Sequence, residues 1–189
     1  MKNIAILASG SGTNAQNIIQ YFNGHSAIRI DSVWSNRADA FVLERAAKYG
    51  IDHGVFSREE FYKSEDFLNQ LKSRHIDLVV LAGFLWLVPV NLLREFSIIN
   101  IHPALLPAYG GKGMYGMKVH EAVIANKEKE SGITIHMVDE VYDHGATLLQ
   151  EKCPVLPGDT PESLAERIHE LEYRYFPETI EKFLLKQSS

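Results

Sequence analysis

Short, largely apolar runs recur along the first half of the chain: "NIAILAS", "IRIDSVWS", "DLVVLAGF" and "SIINIH". A run with no polar face must be covered on both sides once it becomes a strand, which is the environment of a central parallel strand. Parallel neighbours also need long crossover connections, and stretches of helical character lie between these runs. The β-α-β-α-β-α-β alternation therefore predicts an α/β fold with a doubly wound, Rossmann-like, mostly parallel sheet.

The helix boundaries follow from local chemistry. A helix is expected from Asn14 to Phe22, stopped by Asn23-Gly24, and another from Asp39 to Lys48, stopped by Gly50. "SREE" at Ser57 to Glu60 reads as a capping box opening a helix that runs to about Arg74. After Pro107, "AYGGKGMYGMK" places four glycines in eleven residues, a ligand-shaped loop rather than a linker. Strands "GITIHMV" and "ATLLQEKCPVL" bracket "DEVYDHG", and an amphipathic helix from Pro161 to Leu185 follows, with Pro177 expected to kink or split it. No repeat or linker divides the chain, so residues 1–189 read as one domain.

A formal net charge of -5 and a pI near 5.9 argue against nucleic-acid or anionic-membrane binding, both of which need a basic surface. The opening "MKNIAILASG" is too short in apolar residues for a signal peptide or a membrane span, and the single cysteine, Cys153, agrees with a reducing compartment. A cytoplasmic location is expected, with Cys153 a partly buried thiol and not a nucleophile.

Gly10, Gly12 and Ala15 in "SGSGTNA" fit the G-x-G-x-x-G/A spacing, directly after the first strand. Such a turn lets backbone N–H groups approach a phosphate at a helix N-terminus. A plain tight turn with Thr13 or Asn14 as N-cap reads the same residues without a ligand. A dinucleotide would also want an acidic residue at the end of the second strand, where this chain has Ser35-Asn36-Arg37. A single phosphomonoester fits better.

"INIHPALLP" places Asn100 and His102 two apart at the end of an apolar strand, so both point the same way. Asp143 falls just past a strand in "VYDHG". Asn supplies a neutral donor, His a titratable one, and Asp an anion that can hold the imidazole charged or relay a proton. Two donors and a carboxylate suit acyl transfer, where a carbonyl oxygen becomes anionic while an amine loses a proton. A turn-capping Asn, a packed His and a solvated Asp are the bland alternative. There is no G-x-S-x-G elbow, and "HEAVI" at His120 lacks the second His of a zinc motif, so transfer would be direct and no metal is expected.

"SGSGTN", "SNRADA", "LAGF", "NIHPALLP" and "DHGATLLQ" stand in the order and spacing of the phosphoribosylglycinamide formyltransferases, and the chain resembles that family over essentially its whole length. The resemblance implies the formyltransferase fold. It also implies transfer of a formyl group from the cosubstrate 10-formyltetrahydrofolate to the amine of glycinamide ribonucleotide, in purine biosynthesis. His102, Asn100 and Asp143 match the catalytic trio. Gly12, Thr13 and Asn14 match the phosphate loop, and Glu172 a residue near the sugar. The folate pocket maps to Arg58, to Leu85, Trp86, Leu87 and Val88, to Asn100, and to Asp139, Glu140, Val141, Tyr142 and Asp143. Trp86 stands where members of the family often carry Arg. The assembly expected is a monomer or homodimer. Competing readings are a formyltransferase for another amine, a nucleotide-binding oxidoreductase, and a noncatalytic phosphoribosyl-ligand sensor.

Overall fold

The structure, a computed structural model, describes residues 1–186; the last three positions of the expected 1–189 domain lie outside the described residues. Strands β1 (Lys2–Leu7), β2 (Ile28–Ser35), β3 (Asp52–Val55), β4 (Leu78–Leu81) and β5 (Ser97–His102) pair in parallel. Then the chain reverses: β6 (Glu130–Met137) lies antiparallel to β5, and β7 (Thr147–Pro154) antiparallel to β6. The strand order is β3-β2-β1-β4-β5-β6-β7, so the sheet grows outward in both directions from the β1/β4 boundary. In an open α/β sheet that boundary, at the carboxyl ends of the strands, is where ligands bind.

The pleat sorts each strand into two cores. Ile4 and Ile6 of β1, Val80 of β4 and Ile99 and Ile101 of β5 join a cluster with α1 (Thr13–Tyr21), α2 (Phe41–Lys48), α6 (Met117–Ala125) and α7 (Pro161–Lys186). Ala5, Leu7, Val79, Leu81 and Ile98 turn the other way. They pack with Phe61, Phe67, Leu71 and Leu92 from α3 (Arg58–Tyr62), α4 (Asp66–Ser73) and α5 (Val90–Glu95). Burial on both faces is why these strands carry no polar stripe.

Three features depart from the sequence pattern. Edge strand β3, "DHGV", has no apolar alternation and is held by its pairing with β2. The helix expected from Ser57 to Arg74 is two helices. Its capping box forms as expected, Ser57 Oγ accepting from Glu60 N at 3.2 Å and Glu60 Oε2 accepting from Ser57 N at 2.6 Å. The run then breaks at Lys63 to Glu65, where Ser64 accepts from Asp66 N and donates to Asp66 Oδ2, and a second helix opens at Glu65 without a side-chain cap. Short α5, which follows Pro89, is the third.

Pro177 was expected to kink or split the last helix, and it does not split it: α7 is a single element of 26 residues with Pro177 inside it. A proline leaves the carbonyl four residues earlier without its helical donor. That carbonyl belongs to Tyr173, and Asn17 Nδ2 of α1 donates to it at 2.8 Å. A neighbouring helix supplies the missing bond.

Candidate active site at the carboxyl edge of the sheet

Ile98, Asn100 and His102 share one face of β5. Ile98 is covered by the α5 side of the core, but the helices end there, and the next two positions on the same face are polar. Antiparallel pairing brings His136 opposite Asn100, so three polar side chains meet on this patch, while Thr134, opposite His102, is fully buried and donates to the Ala104 carbonyl at 2.7 Å. Asn100 Nδ2 donates to His136 Nε2 at 3.1 Å, while His136 Nδ1 donates to the Met137 carbonyl at 2.9 Å, which sets the tautomer of that ring. His102 is 4% exposed and donates from Nε2 to the Tyr109 carbonyl at 2.7 Å.

Asp143 reaches this patch on the β6–β7 connection. Gly145 lies against the Met137 carbonyl group, its would-be Cβ 2.8 Å from the carbonyl carbon, so only glycine lets the loop fold this tightly. Asp143 itself is left-handed at φ 54°, a conformation aspartate tolerates better than most residues and one that often marks a functional site. Its Oδ2 accepts from Gly111 N at 3.0 Å and lies 3.5 Å from His102 Nδ1; its Oδ1 lies 3.5 Å from Asn100 Nδ2 and 3.7 Å from His136 Nε2. Burial disfavours ionisation of this carboxyl. The facing His136 and His102 and the Gly111 N–H outweigh it and hold the group below the ordinary carboxylate range. His102 moves down too. Its burial is the largest influence and His136 adds to it, exceeding the upward pull of Asp143 and of the Tyr109 carbonyl. The expectation that Asp143 keeps this imidazole charged is therefore corrected: at neutral pH His102 is uncharged and Asp143 ionised.

The glycine loop forms the opposite end. Gly12, at φ 74°, is the N-cap of α1, and no side chain caps the helix, so neither Thr13 nor Asn14 takes that role. The first-turn N–H groups of α1 are left for a ligand. A Cβ on Gly12 would lie 2.8 Å from Val42 Cα, so the loop passes too close to α2 for any other residue. Asn14 Nδ2 donates to Glu172 Oε2 of α7 at 2.9 Å. Glu172 is 6% exposed, and burial raises its carboxyl to about 7, with the Asn14 bond opposing the rise.

One cavity of about 750 Å³ joins these ends. It is lined by Gly12, Thr13, Asn14 and Glu172 at one end, by Asn100, His102, His136 and Asp143 in the middle, and by Leu85, Trp86, Leu87, Val88 and Tyr142 at the other. A family profile described as Formyl transferase matches residues 2–180. The chain belongs to that family. It is 40% identical over 193 residues to the chloroplastic phosphoribosylglycinamide formyltransferase of Vigna unguiculata, covering 95% of this chain and 60% of the relative. The chain thus spans 60% of that protein's length. The phosphoribosylglycinamide formyltransferase of Haemophilus influenzae is 39% identical over 190 residues, covering 97% of this chain and 87% of the relative. The crystal structure of the enzyme so named from Bacillus halodurans superposes with a TM-score of 0.85 at 37% identity, covering 97% of this chain and 95% of that one.

In this chain most of the residues singled out by sequence do converge. Two do not reach the lining: Arg58 stacks beyond Trp86 and Tyr62, 5.6 and 5.1 Å from their ring centres, and Glu140 is exposed on the loop before Asp143. Asp139 and Val141 do line the cavity, and Asp139 accepts from the backbone N–H of Val141 at 2.8 Å. Sequence reasoning missed His136, Arg37, His120 and His169, all of which line it. The signal for His136 was available, a lone histidine inside the apolar strand "GITIHMV". Among the described residues no cluster of His, Cys, Asp or Glu could hold a metal ion, and no helix is long and apolar enough to cross a membrane.

Proposed function

We propose that this chain transfers a formyl group from 10-formyltetrahydrofolate to the amine of glycinamide ribonucleotide. The observation that carries the reading is the convergence of Asn100, His102 and Asp143 midway along a cavity whose two ends differ in chemistry. One end suits a phosphorylated sugar, with an uncapped helix start and a buried carboxyl. The other suits a flat heteroaromatic ring: apolar walls from Leu85 to Val88, with backbone polar groups of the 139–143 loop at the edge.

The bound folate supplies an activated acyl group. Asn100 offers a neutral N–H donor to the carbonyl oxygen as negative charge develops on it. His102 and Asp143 manage the proton of the attacking amine. Because Nε2–H of His102 is committed to Tyr109, Nδ1 presents a lone pair to a carboxylate oxygen 3.5 Å away. A proton placed between them turns that repulsion into a hydrogen-bonded ion pair, and the resulting imidazolium lies next to the developing oxyanion. The site takes the amine's proton as the new C–N bond forms, and the imidazolium returns it to the folate nitrogen as the formyl–folate C–N bond breaks.

Residues 1–189 are read as a single formyltransferase domain, supported by the match over 2–180 and by one continuous sheet. A cytoplasmic location is supported by the free, buried Cys153. The oxidoreductase reading loses its footing because the end of β2 turns into Asn36 and Arg37, with no carboxylate for ribose hydroxyls. The test mixes purified protein with glycinamide ribonucleotide and 10-formyltetrahydrofolate and follows loss of the formyl donor. Turnover that needs both reactants is expected; none with either the named amine or the named donor would overturn the proposal.

A further inference from the structure

Among the described residues three buried side-chain polar atoms have no hydrogen-bond partner, and two of them, Asn14 Oδ1 and His120 Nδ1, belong to residues lining the cavity. His120 is the less expected. It lies on α6, is 2% exposed, and neither of its ring nitrogens is bonded to another described residue. A buried polar atom without a partner is destabilising, so one that lines a binding cavity points to a bond completed by ligand. Burial lowers this imidazole to about 4, and His169 from α7 and His102 from β5 add to the effect. The ring is thus uncharged in the working range and presents one lone pair and one N–H.

Those two neighbours also locate it. His169 belongs to the same helix as Glu172, at the sugar end, while His102 belongs to the reacting end. An acceptor held between the two ends occupies the cavity that His120, His169, Glu172 and His102 all line. We propose that His120 positions the acceptor by hydrogen bonding the amide that links its sugar to its amine. The inference rests on the transfer reading above. An amide matches an uncharged imidazole in kind, since each carries one donor and one acceptor, whereas a phosphate or ammonium group would call for a charged partner. By fixing the amide, His120 sets where the amine stands relative to Asn100 and His102, and so acts on acceptor specificity rather than on proton transfer.

The experiment compares wild type, His120→Leu and His120→Asn with two acceptors, glycinamide ribonucleotide and an analogue whose amide is replaced by a two-carbon methylene link. His120→Leu should raise KM for the true acceptor roughly 10- to 100-fold, the range for leaving a buried polar partner unmatched, with kcat and its pH profile nearly unchanged. Affinity for an antifolate should stay at the wild-type value, which also reports an intact fold. His120→Asn, which restores a polar group near the Nδ1 position, should recover most of the loss. Wild type should discriminate against the analogue, and His120→Leu should treat both acceptors alike. Equal discrimination in wild type and His120→Leu would overturn the inference, as would an unchanged KM. A wild type that neither binds nor formylates glycinamide ribonucleotide would instead fell the transfer reading and this inference with it.

Discussion

Replacing Glu172 by Gln should stabilise the protein in a way that grows with pH. Glu172 is 6% exposed and its carboxyl rises from 4.5 to about 7. In the unfolded chain the group ionises first, so below pH 4.5 the two states bind protons alike and the residue contributes no pH-dependent penalty. Between 4.5 and 7 the unfolded chain loses its proton while the folded one keeps it, and folding becomes progressively less favourable. Above 7 both are ionised and the penalty is complete. At about 1.4 kcal/mol for each tenfold change in proton affinity, it amounts to ~3 kcal/mol at pH 8 and under ~1 kcal/mol at pH 5. Gln keeps the shape and can still accept from Asn14 Nδ2, but cannot ionise. Urea unfolding at pH 5, 6, 7 and 8 should give curves whose midpoints separate as pH rises, Gln above wild type, by about 2–3 kcal/mol more at pH 8 than at pH 5. A constant gap over that range would refute the argument. A carboxyl kept where it destabilises the fold is expected of a ligand-binding group, so the same substitution should weaken acceptor binding.

Asp143→Asn removes the proton-accepting oxygen and should lower kcat by roughly 10²–10⁴-fold, the range for a positioned acid or base, with acceptor affinity near wild type. Because the carboxylate pulls the His102 value upward, the acid limb of any residual rate should move to lower pH; a wild-type kcat and profile would remove Asp143 from the chemistry. Gly12→Ala puts a Cβ 2.8 Å from Val42 Cα in a left-handed position, so both the melting midpoint and acceptor binding should fall, by about 1–3 kcal/mol in stability; an unchanged melt would show that the loop yields freely. Asn17→Ala should cost about 0.5–1.5 kcal/mol, and less in a Pro177→Ala background, where the restored N–H can bond the Tyr173 carbonyl; equal costs in both backgrounds would refute the account of α7. Trp86 lines the cavity while Trp34 is 6% exposed, so a bound antifolate should protect most of the iodide-quenchable fluorescence, and unchanged quenching would remove Trp86 from the slot.

How much was legible in the chain depended on whether the information was local. β2 and β5 coincide with the runs "IRIDSVWS" and "SIINIH", β4 lies within "DLVVLAGF", and β1 starts one residue before "NIAILAS" and ends inside it, because burial on both faces leaves its mark in the strand's own residues. β3 leaves none, since "DHGV" is a strand only by virtue of its pairing with β2. The break at Ser64 was hidden for another reason: a polar residue inside an amphipathic stretch reads as surface until its hydroxyl is seen bonded to the Asp66 backbone N–H. Asn100 and His102 announced themselves by their spacing at a strand end. His136 required the antiparallel register, and His120 required knowing that α6 turns that face inward. The charge state of His102 was misjudged because a sequence names the neighbouring carboxylate but not the depth of burial, which here outweighs it.

The reversal of chain direction between β5 and β6 has a meaning for how this fold can diversify. The antiparallel step from β5 to β6 does not require a crossover over the sheet, and the helix its connection carries, α6, packs in the core on the other face from Ile98, so the patch over Asn100 and His136 stays open. Two loops, 103–116 and 138–146, reach over it and bring Gly111 and Asp143 together, while α6 and α7 add His120, His169 and Glu172 to the same cavity from elements that also complete a core. Loop and scaffold therefore contribute unequally to what can vary. Changes in length or composition of the two loops can reshape one side of the cavity, while His120, His169 and Glu172 are tied to helices on which the fold depends.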